Sequence, residues 1–492
     1  MSGSFYGLEI MKRALAAERL ALELTGHNVA NATTPGYSVQ RPDLVDLPGV
    51  PERPGVVGGG VDVRQITRQR DLFLDGEWRK SDAQLADWQI RQQVYQQMEV
   101  ALDEPAGQGL TGPLNAFWKA WNDLANNPSD GATRQAVLDQ ANNLVQALQQ
   151  TDARLVAIQG GIVSAVQSRV DQANGILDQI AQIVPQIRLL LARGMTPNDL
   201  LDQRDRLLDQ LSHLTGTTAS FQPNGDLTIS LPDSTGTGQV TLLATAGQAT
   251  PAALHLQFDA NTGKLSATDG VSAQQVGLAG GEITGYVTML TDTTQGLPAL
   301  RQRLASFAYR LATDVNAVHE AGLTADGQTG VAFFTLGSGT GTSFDLSSLQ
   351  VAVTTPGGIA AASAQGWTAD SPLPTDDGRN AAAIAGLANQ QADFALPGPS
   401  GGTLRATPDG FLQATAATLG NQAQGAQGQV AGTQALVQQL ANQRASVSGV
   451  SVDEEMVHMV QYQTAYAAAA KMVSSIDAML GVIIGELGSA GH

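Results

Sequence analysis

From residue 8 onward, apolar side chains recur at alternating steps of three and four. Leu8, Met11, Leu15, Leu22 and Val29 form the seam, with Glu18 and Thr25 at its polar positions. Ile10, Ala14, Ala17, Ala21 and Leu24 make a second stripe of smaller residues beside it. This spacing predicts an amphipathic helix of about 23 residues that stops at Gly26, a suitable left-handed C-terminal residue. Taken alone, the segment also fits an ordinary core-facing helix. The same rhythm returns at the other end of the chain, through Val452, Met456, Met459, Tyr466, Val473, Leu480, Ile484 and Leu487. Ser451-Val-Asp-Glu454 reads as a capping box ahead of it, and Asp453, Glu454 and Glu455 suit the positive end of the helix dipole. A seam of about five heptads signals a coiled coil. The two seams are expected to pack on each other. Both helices carry apolar residues beyond one stripe, and such surface marks association with further copies.

Between the two ends the period changes twice. Residues 81–215 read as helix, interrupted at Asp103-Glu-Pro-Ala-Gly107, with Leu114, Phe117, Trp118, Trp121 and Leu124 as a compact apolar face. Pro185 predicts a kink or boundary. Thr196-Pro197 predicts a fresh helix start. The mixed charges from Asp202 to Asp209 read as a solvated face. At Thr217 the period becomes 2, and Leu227, Ile229 and Leu231 alternate as in a half-buried strand. Helix is expected again from Leu297 to Val318, then a Gly/Ser/Thr-rich stretch, then Ala- and Gln-rich helix over 379–447. The expected fold is mainly α with an inserted β domain: terminal coiled-coil helices, a discontinuous helical bundle domain and a β-rich outer domain. Residues 1–40 and 450–492 form the two parts of the terminal coiled-coil domain. Residues 41–216 and 378–449 are the first and last parts of the helical domain, to which the helix at 296–321 returns. Residues 217–295 make the β-rich domain and 322–377 a β- or loop-rich extension.

Composition narrows the function. The chain has 492 residues, with 27 Lys plus Arg against 45 Asp plus Glu, a formal charge of −18 and no cysteine. That length suggests about three domains. The acidic balance argues against nucleic acid, whose binding needs clustered cations, and against an anionic membrane surface. Without cysteine there is no disulfide framework, thiolate zinc site or cysteine nucleophile. The N-terminal residues show neither a basic start nor an apolar run of signal-peptide type. The histidines at 27, 213, 255, 319, 458 and 492 are not paired at metal spacing, and His319-Glu320 lacks its second histidine because position 323 is leucine. Asp259-Ala-Asn-Thr-Gly263 fails as a calcium loop: Lys264 occupies the glycine position and Gly270 the twelfth. Neither a G-x-S-x-G elbow nor a P-loop occurs, and Asn31-Ala-Thr33 is read as backbone capping. No catalytic residue, cofactor or metal is expected.

Thr25-Gly-His-Asn-Val-Ala-Asn-Ala-Thr-Thr-Pro-Gly-Tyr37 resembles the N-terminal signature shared by the axial proteins of the bacterial flagellum, namely rod, hook and hook-associated proteins. Its matching positions are Asn28, Ala30, Asn31, Thr34, Pro35, Gly36 and Tyr37, with Val29 where isoleucine is usual. Ser448 to Met456 and Tyr462-Gln-x-x-Tyr466 are similar to the C-terminal signature. Pro197-Asn-Asp-Leu-Leu-Asp-Gln-Arg-Asp-Arg-Leu207, His319-Glu-Ala-Gly-Leu323 through Phe333-Phe334, and Asp377-Gly-Arg-Asn-Ala381 favour the hook-associated members at the junction of hook and filament. The resemblance implies a structural, self-assembling subunit, extracellular, exported unfolded by the flagellar type III apparatus. Its implied partners are copies of itself in a ring, the hook protein, hook-associated protein 3 and an export chaperone. Another axial protein, such as hook-associated protein 3 itself, is the neighbouring alternative. A secreted enzyme on an axial scaffold is the more distant one.

Overall fold

A computed structural model describes residues 2–52, 55–103, 109–248, 251–399 and 401–489. The first helix, α1 (Ser2–Ala30), runs past Gly26. A glycine inside a helix costs only about 1 kcal/mol relative to alanine, so the stop falls where a side chain caps the carbonyls. Asn31 does this, its side-chain amide donating to the His27 carbonyl at 3.0 Å.

A β-ribbon follows, in a stretch assigned to the first part of the helical domain. Strands β1 (Gln40–Asp46), β2 (Val50–Glu52), β3 (Gly55–Val57) and β4 (Val61–Arg68) fold back on themselves. β1 pairs antiparallel with β4, from Gln40 opposite Arg68 to Asp46 opposite Val61, with a register shift at Asp43/Leu44. Pro42 and the scattered charges of Gln40–Asp46 hide the two-residue period. The ribbon is held instead by α1, where Tyr6 donates to the Gly58 carbonyl at 3.3 Å.

The helical body comprises α2 (Leu72–Leu102), α3 (Thr111–Asn126), α4 (Gly131–Ala192) and α5 (Asn198–Thr215). Asp71 caps α2 by accepting from the amides of Phe73 and Leu74. α4 continues for 62 residues, and Pro185 is no boundary within it. Ile183, Val184 and Ile187 are buried around the proline, so packing outweighs the one lost backbone bond. α5 ends at Gly216, whose φ of +68° favours glycine.

Two three-stranded antiparallel sheets come next. One is β5 (Thr218–Phe221), β6 (Leu227–Pro232) and β7 (Gln239–Ala244); the other is β8 (His255–Asp259), β9 (Lys264–Thr268) and β10 (Ala273–Gln275). Leu227, Ile229 and Leu231 are buried, as the period-2 pattern requires. Asp259 closes a turn, accepting from the Asn261 amide and the Thr262 hydroxyl.

The segment assigned entirely to β ends in a helix, α6 (Gly281–Thr291). Gly285 explains its position: a Cβ there would sit 2.7 Å from the Asp87 carbonyl, so only glycine lets α6 approach α2 so closely. α7 (Leu297–Glu320) returns along the body. Short strands β11 (Gly322–Leu323), β12 (Phe334–Thr335), β13 (Gln350–Val351) and β14 (Ala362–Ser363) then pair two by two, and α8 (Arg379–Gly386) packs against α3. A hairpin, β15 (Ala392–Leu396) with β16 (Gly402–Ala406), leads to α9 (Pro408–Ser448), which lies along α2. The last helix is α10 (Val452–Ser489), and it packs on α1.

The chain is therefore mainly helical with small antiparallel sheets. Its core centres on Phe117, Trp121, Phe333 and Phe334, with Trp121 and Phe333 ring centroids 5.2 Å apart. His319 is a core residue here. Its Nδ1–H donates to the Val331 carbonyl at 2.7 Å and its Nε2 accepts from the Ala360 amide at 2.9 Å, while burial pushes its pKa below the ordinary value. Phe117 touches Trp118, Trp121, Phe333 and Phe334 at once. Phe117→Ala should cost about 3–5 kcal/mol, because so interlocked a cluster cannot collapse into the cavity. Chemical denaturation of the full chain measures this, and a loss below about 1 kcal/mol would contradict the described packing.

Candidate functional site

The signature residues meet at the joint where the terminal helices join the body. α1 and α10 carry few strong local anchors, so what fixes them is a set of buried polar groups. Asn28 is fully buried and all of its hydrogen-bonding capacity is used. Its Oδ1 accepts from the Tyr37 hydroxyl at 2.7 Å and from the Gln40 amide at 2.9 Å. Its Nδ2 donates to the Gln40 carbonyl and to Glu455 Oε2, both at 3.0 Å. One side chain thereby ties the end of α1, the motif turn, β1 and the first turn of α10.

Glu455 is the acidic counterpart and is also fully buried. Arg41 Nη2 approaches its Oε1 at 2.6 Å, giving the carboxylate a charged partner as well as the Asn28 amide. The capping residue Ser451 works one step earlier: its hydroxyl accepts from the Glu454 amide at 3.4 Å, and its carbonyl from the Glu455 amide at 2.9 Å. The α9–α10 corner is pinned too, because the Val39 amide donates to the Ser448 carbonyl at 3.0 Å.

The turn that makes this possible is Thr34-Pro-Gly-Tyr37. The Tyr37 amide donates to the Thr34 carbonyl, and Gly36 has φ of +78°. Burial, followed by the charges of Asp199, Asp202 and Glu455, pushes the Tyr37 pKa well above its ordinary range. The hydroxyl therefore stays a proton donor to Asn28. His27 lies edge-on to Tyr37, with ring centroids 5.5 Å apart.

Behind the turn sits a buried ionic network built on α5. Ser38 donates through its amide and hydroxyl to Asp202, at 3.0 and 2.8 Å. Arg68 bridges Asp202 at 2.8 Å and Asp205 at 2.6 Å, while Arg204 pairs with Asp205 at 2.7 Å. Arg70 pairs with Asp75, Arg79 with Asp209, and Arg444 of α9 reaches both Asp75 and Asp209 at 2.6 and 2.7 Å. Apart from the exposed Arg206, the Asp202–Asp209 charges are thus an interior network, not a solvated face. Sequence reading missed this because their counter-ions Arg68, Arg70, Arg79 and Arg444 come from distant elements. A usable signal was present: Asp202 and Asp205 follow three apart on the stripe next to Leu201 and Leu208, within the segment already singled out by resemblance.

The seam residues divide. On α1, Leu8, Met11, Leu15, Leu22 and Val29 are half-buried, while Ala17, Ala21 and Leu24 of the second stripe are fully buried. On α10, Met459, Val473 and Leu480 are half-buried, whereas Val452, Met456 and Tyr466 are exposed. Ile484 and Leu487 lie outside the residues whose side chains are described. Of the motif positions, Asn28 and Tyr37 enter the joint directly. Asn31 and Thr34 bond each other at 3.2 Å, Pro35 and Gly36 shape the turn, and Ala30 is exposed on the last turn of α1. A cavity of about 210 Å³ lies beside the turn, lined by His27, Asn31, Tyr37, Asp199, Asp202 and Arg206 among others. Among the described residues, no group of three or more His, Asp or Glu could hold a metal ion.

Two outcomes follow. Asn28→Ala would leave Glu455, the Gln40 backbone and the Tyr37 hydroxyl short of partners, costing about 2–4 kcal/mol; hydrogen exchange should speed up first in the opening turns of α10, and unchanged exchange there would contradict the tie. The second concerns pH. Although burial alone would raise it, the cations Arg204, Arg68, Arg70 and Arg79 lower the Asp205 pKa to about 2. An unfolded aspartate near 3.9 binds its proton first, so this contribution is complete above about pH 4 and is lost as pH falls toward 2. Acid unfolding followed by circular dichroism should show a loss on the order of 2 kcal/mol in that window, absent in Asp205→Asn.

Residues 95–334 match a family model described as the flagellar hook-associated protein FlgK helical domain, and residues 441–486 match the flagellar basal body rod FlgEFG protein C-terminal model. The chain is 28% identical to flagellar hook-associated protein 1 of Bacillus subtilis, over all of both chains. It is 29% identical to the Salmonella typhimurium protein of that name, over 66% of this chain and 58% of the other. The solved flagellar hook junction protein FlgK from Burkholderia pseudomallei is similar in fold, with a TM-score of 0.57 and 16% identity over 76% of this chain and all of that one.

Proposed function

We propose that this chain, which is similar to flagellar hook-associated protein 1 over its whole length, is a structural protein of the hook–filament junction that works there through its terminal helices. In this reading α1 and α10 form a coiled-coil unit that packs with the same unit of neighbouring copies into an inner tube. The helical body forms the layer outside it, and the β sheets face outward. The role is mechanical rather than catalytic. The hook protein lies on one side and hook-associated protein 3 on the other, after export of the unfolded chain with a chaperone to the outside of the cell.

The observation that carries this reading is the uncovered apolar surface of α10. Val452, Met456, Val457, Val460, Met472, Met479 and Val482 are all exposed, and they lie around much of the helix rather than on one stripe. A helix apolar on several faces is stable in water only when it is covered. Each large side chain withdrawn from water contributes about 1.5–3 kcal/mol. No described helix is long and apolar enough to cross a membrane. The absence of cysteine suits a chain that is threaded unfolded and refolds outside the cell.

Removing residues 452–492 should abolish incorporation at isolated hook ends while leaving the body folded, as judged by circular dichroism. Normal incorporation of the truncated chain would sink the mechanism. Binding of the full chain to bare hooks, without hook-associated protein 3 present, separates a first junction subunit from a later one.

A further inference from the structure

Some charges on the terminal helices are paired within the chain. Arg13 bonds Glu9 and Arg19 bonds Glu23, each one helical turn apart, while Glu455 is held by Arg41. Others are not. Glu18, on the half-buried side of α1, has one carboxylate oxygen covered and without a hydrogen-bond partner. Burial raises its pKa. Among the described residues, Lys12 and Lys471 are exposed cations of these helices, and neither takes part in an ion pair. Asp477 is likewise exposed and unpaired there.

The placement of these charges is regular. Gly7 lies against Ile476 and Asn28 against Glu455, so α1 and α10 run antiparallel in one register. In that register Lys12 is level with Lys471. Glu18 lies six residues to one side of this level and Asp477 six residues to the other, about 9 Å each way along the axis. The helix pair therefore presents acid, base and acid in succession.

Resting on the reading that copies associate through these helices, we propose that Glu18 is a contact for Lys12 or Lys471 of a second copy, and that the charges set an axial stagger of about 9 Å between neighbours. Side by side without a stagger, two copies would place lysines against lysines and carboxylates against carboxylates. A shift of one step puts the lysine level of one copy against Glu18 of the next, and Asp477 of the first against the lysines of the second. The uncovered Met and Val side chains of α10 supply attraction without register; the charges supply register by repelling the wrong alignments.

Charge reversal tests this in the full chain, with incorporation at isolated hook ends as the readout and circular dichroism melts as the folding control. Glu18→Lys, and separately Lys12→Glu with Lys471→Glu, should each weaken incorporation about two- to fivefold per contact. The triple variant should recover the Glu18 part of this loss, and adding Asp477→Lys should recover the rest. Loss without recovery, or no loss in either reversal, overturns the contact. Because the chain has no native cysteine, a second arm is clean: Glu18→Cys chains mixed with Lys471→Cys chains, and with Lys12→Cys chains, can form mixed disulfides only between copies. Disulfide formation by one of these mixtures in the assembled state, and not by Ala30→Cys mixed with the same lysine-site variants, supports the contact; its failure in both mixtures overturns it. Truncation at 452 in the same assay keeps the two readings apart: abolished incorporation of the truncated chain together with indifferent charge variants sinks only the contact.

Discussion

Everything at the ends of this chain depends on one carboxylate being taken out of water. Glu455 is fully buried at the first turn of α10, where isolation would cost far more than any local packing could return. Arg41 and Asn28 make its burial tolerable, and Asn28 can do so only because Tyr37 and Gln40 complete its own bonds. Removing any member strands the others. The joint is cooperative for that reason, and it fixes how the terminal helix pair leaves the body.

The ionic network on α5 extends the same logic into the body. Asp202 and Asp205 accept from Arg68, Arg204 and Ser38, while Arg444 closes the circuit from α9 to α2 and α5. These cations come from the β-ribbon, from α5 itself and from near the end of α9. A chain whose halves contribute to one buried network must bring them together to fold that region. This gives a physical reason why segments far apart in sequence form one structure, independent of the hydrophobic core around Phe117 and Trp121.

The terminal helices show the opposite economy. They are anchored at one end by buried polar bonds and left with apolar side chains uncovered along their length. For a monomer this would be an aggregation hazard. In the proposed junction subunit it is the surface through which the assembly would gain its stability, with the proposed contact of Glu18 restricting how that surface is used.

Much of this was legible in the residues alone. Heptad spacing located α1 and α10, alternation located β6, and the apolar face of Leu114 to Leu124 located the core, because each follows from local periodicity and burial. The thirteen-residue motif from Thr25 to Tyr37 pointed to the family. Other features were decided only by tertiary contact. The β-ribbon of residues 40–68 has too little alternation to declare itself and exists because α1 and α5 hold it. α6 was hidden behind glycines whose purpose is close approach to α2. Asp205 looks like any surface aspartate until Arg68 and Arg70 arrive from more than 130 residues earlier in the chain. Periodicity reports which side of an element avoids water, whereas the pairing of a buried charge depends on groups that sequence separation conceals.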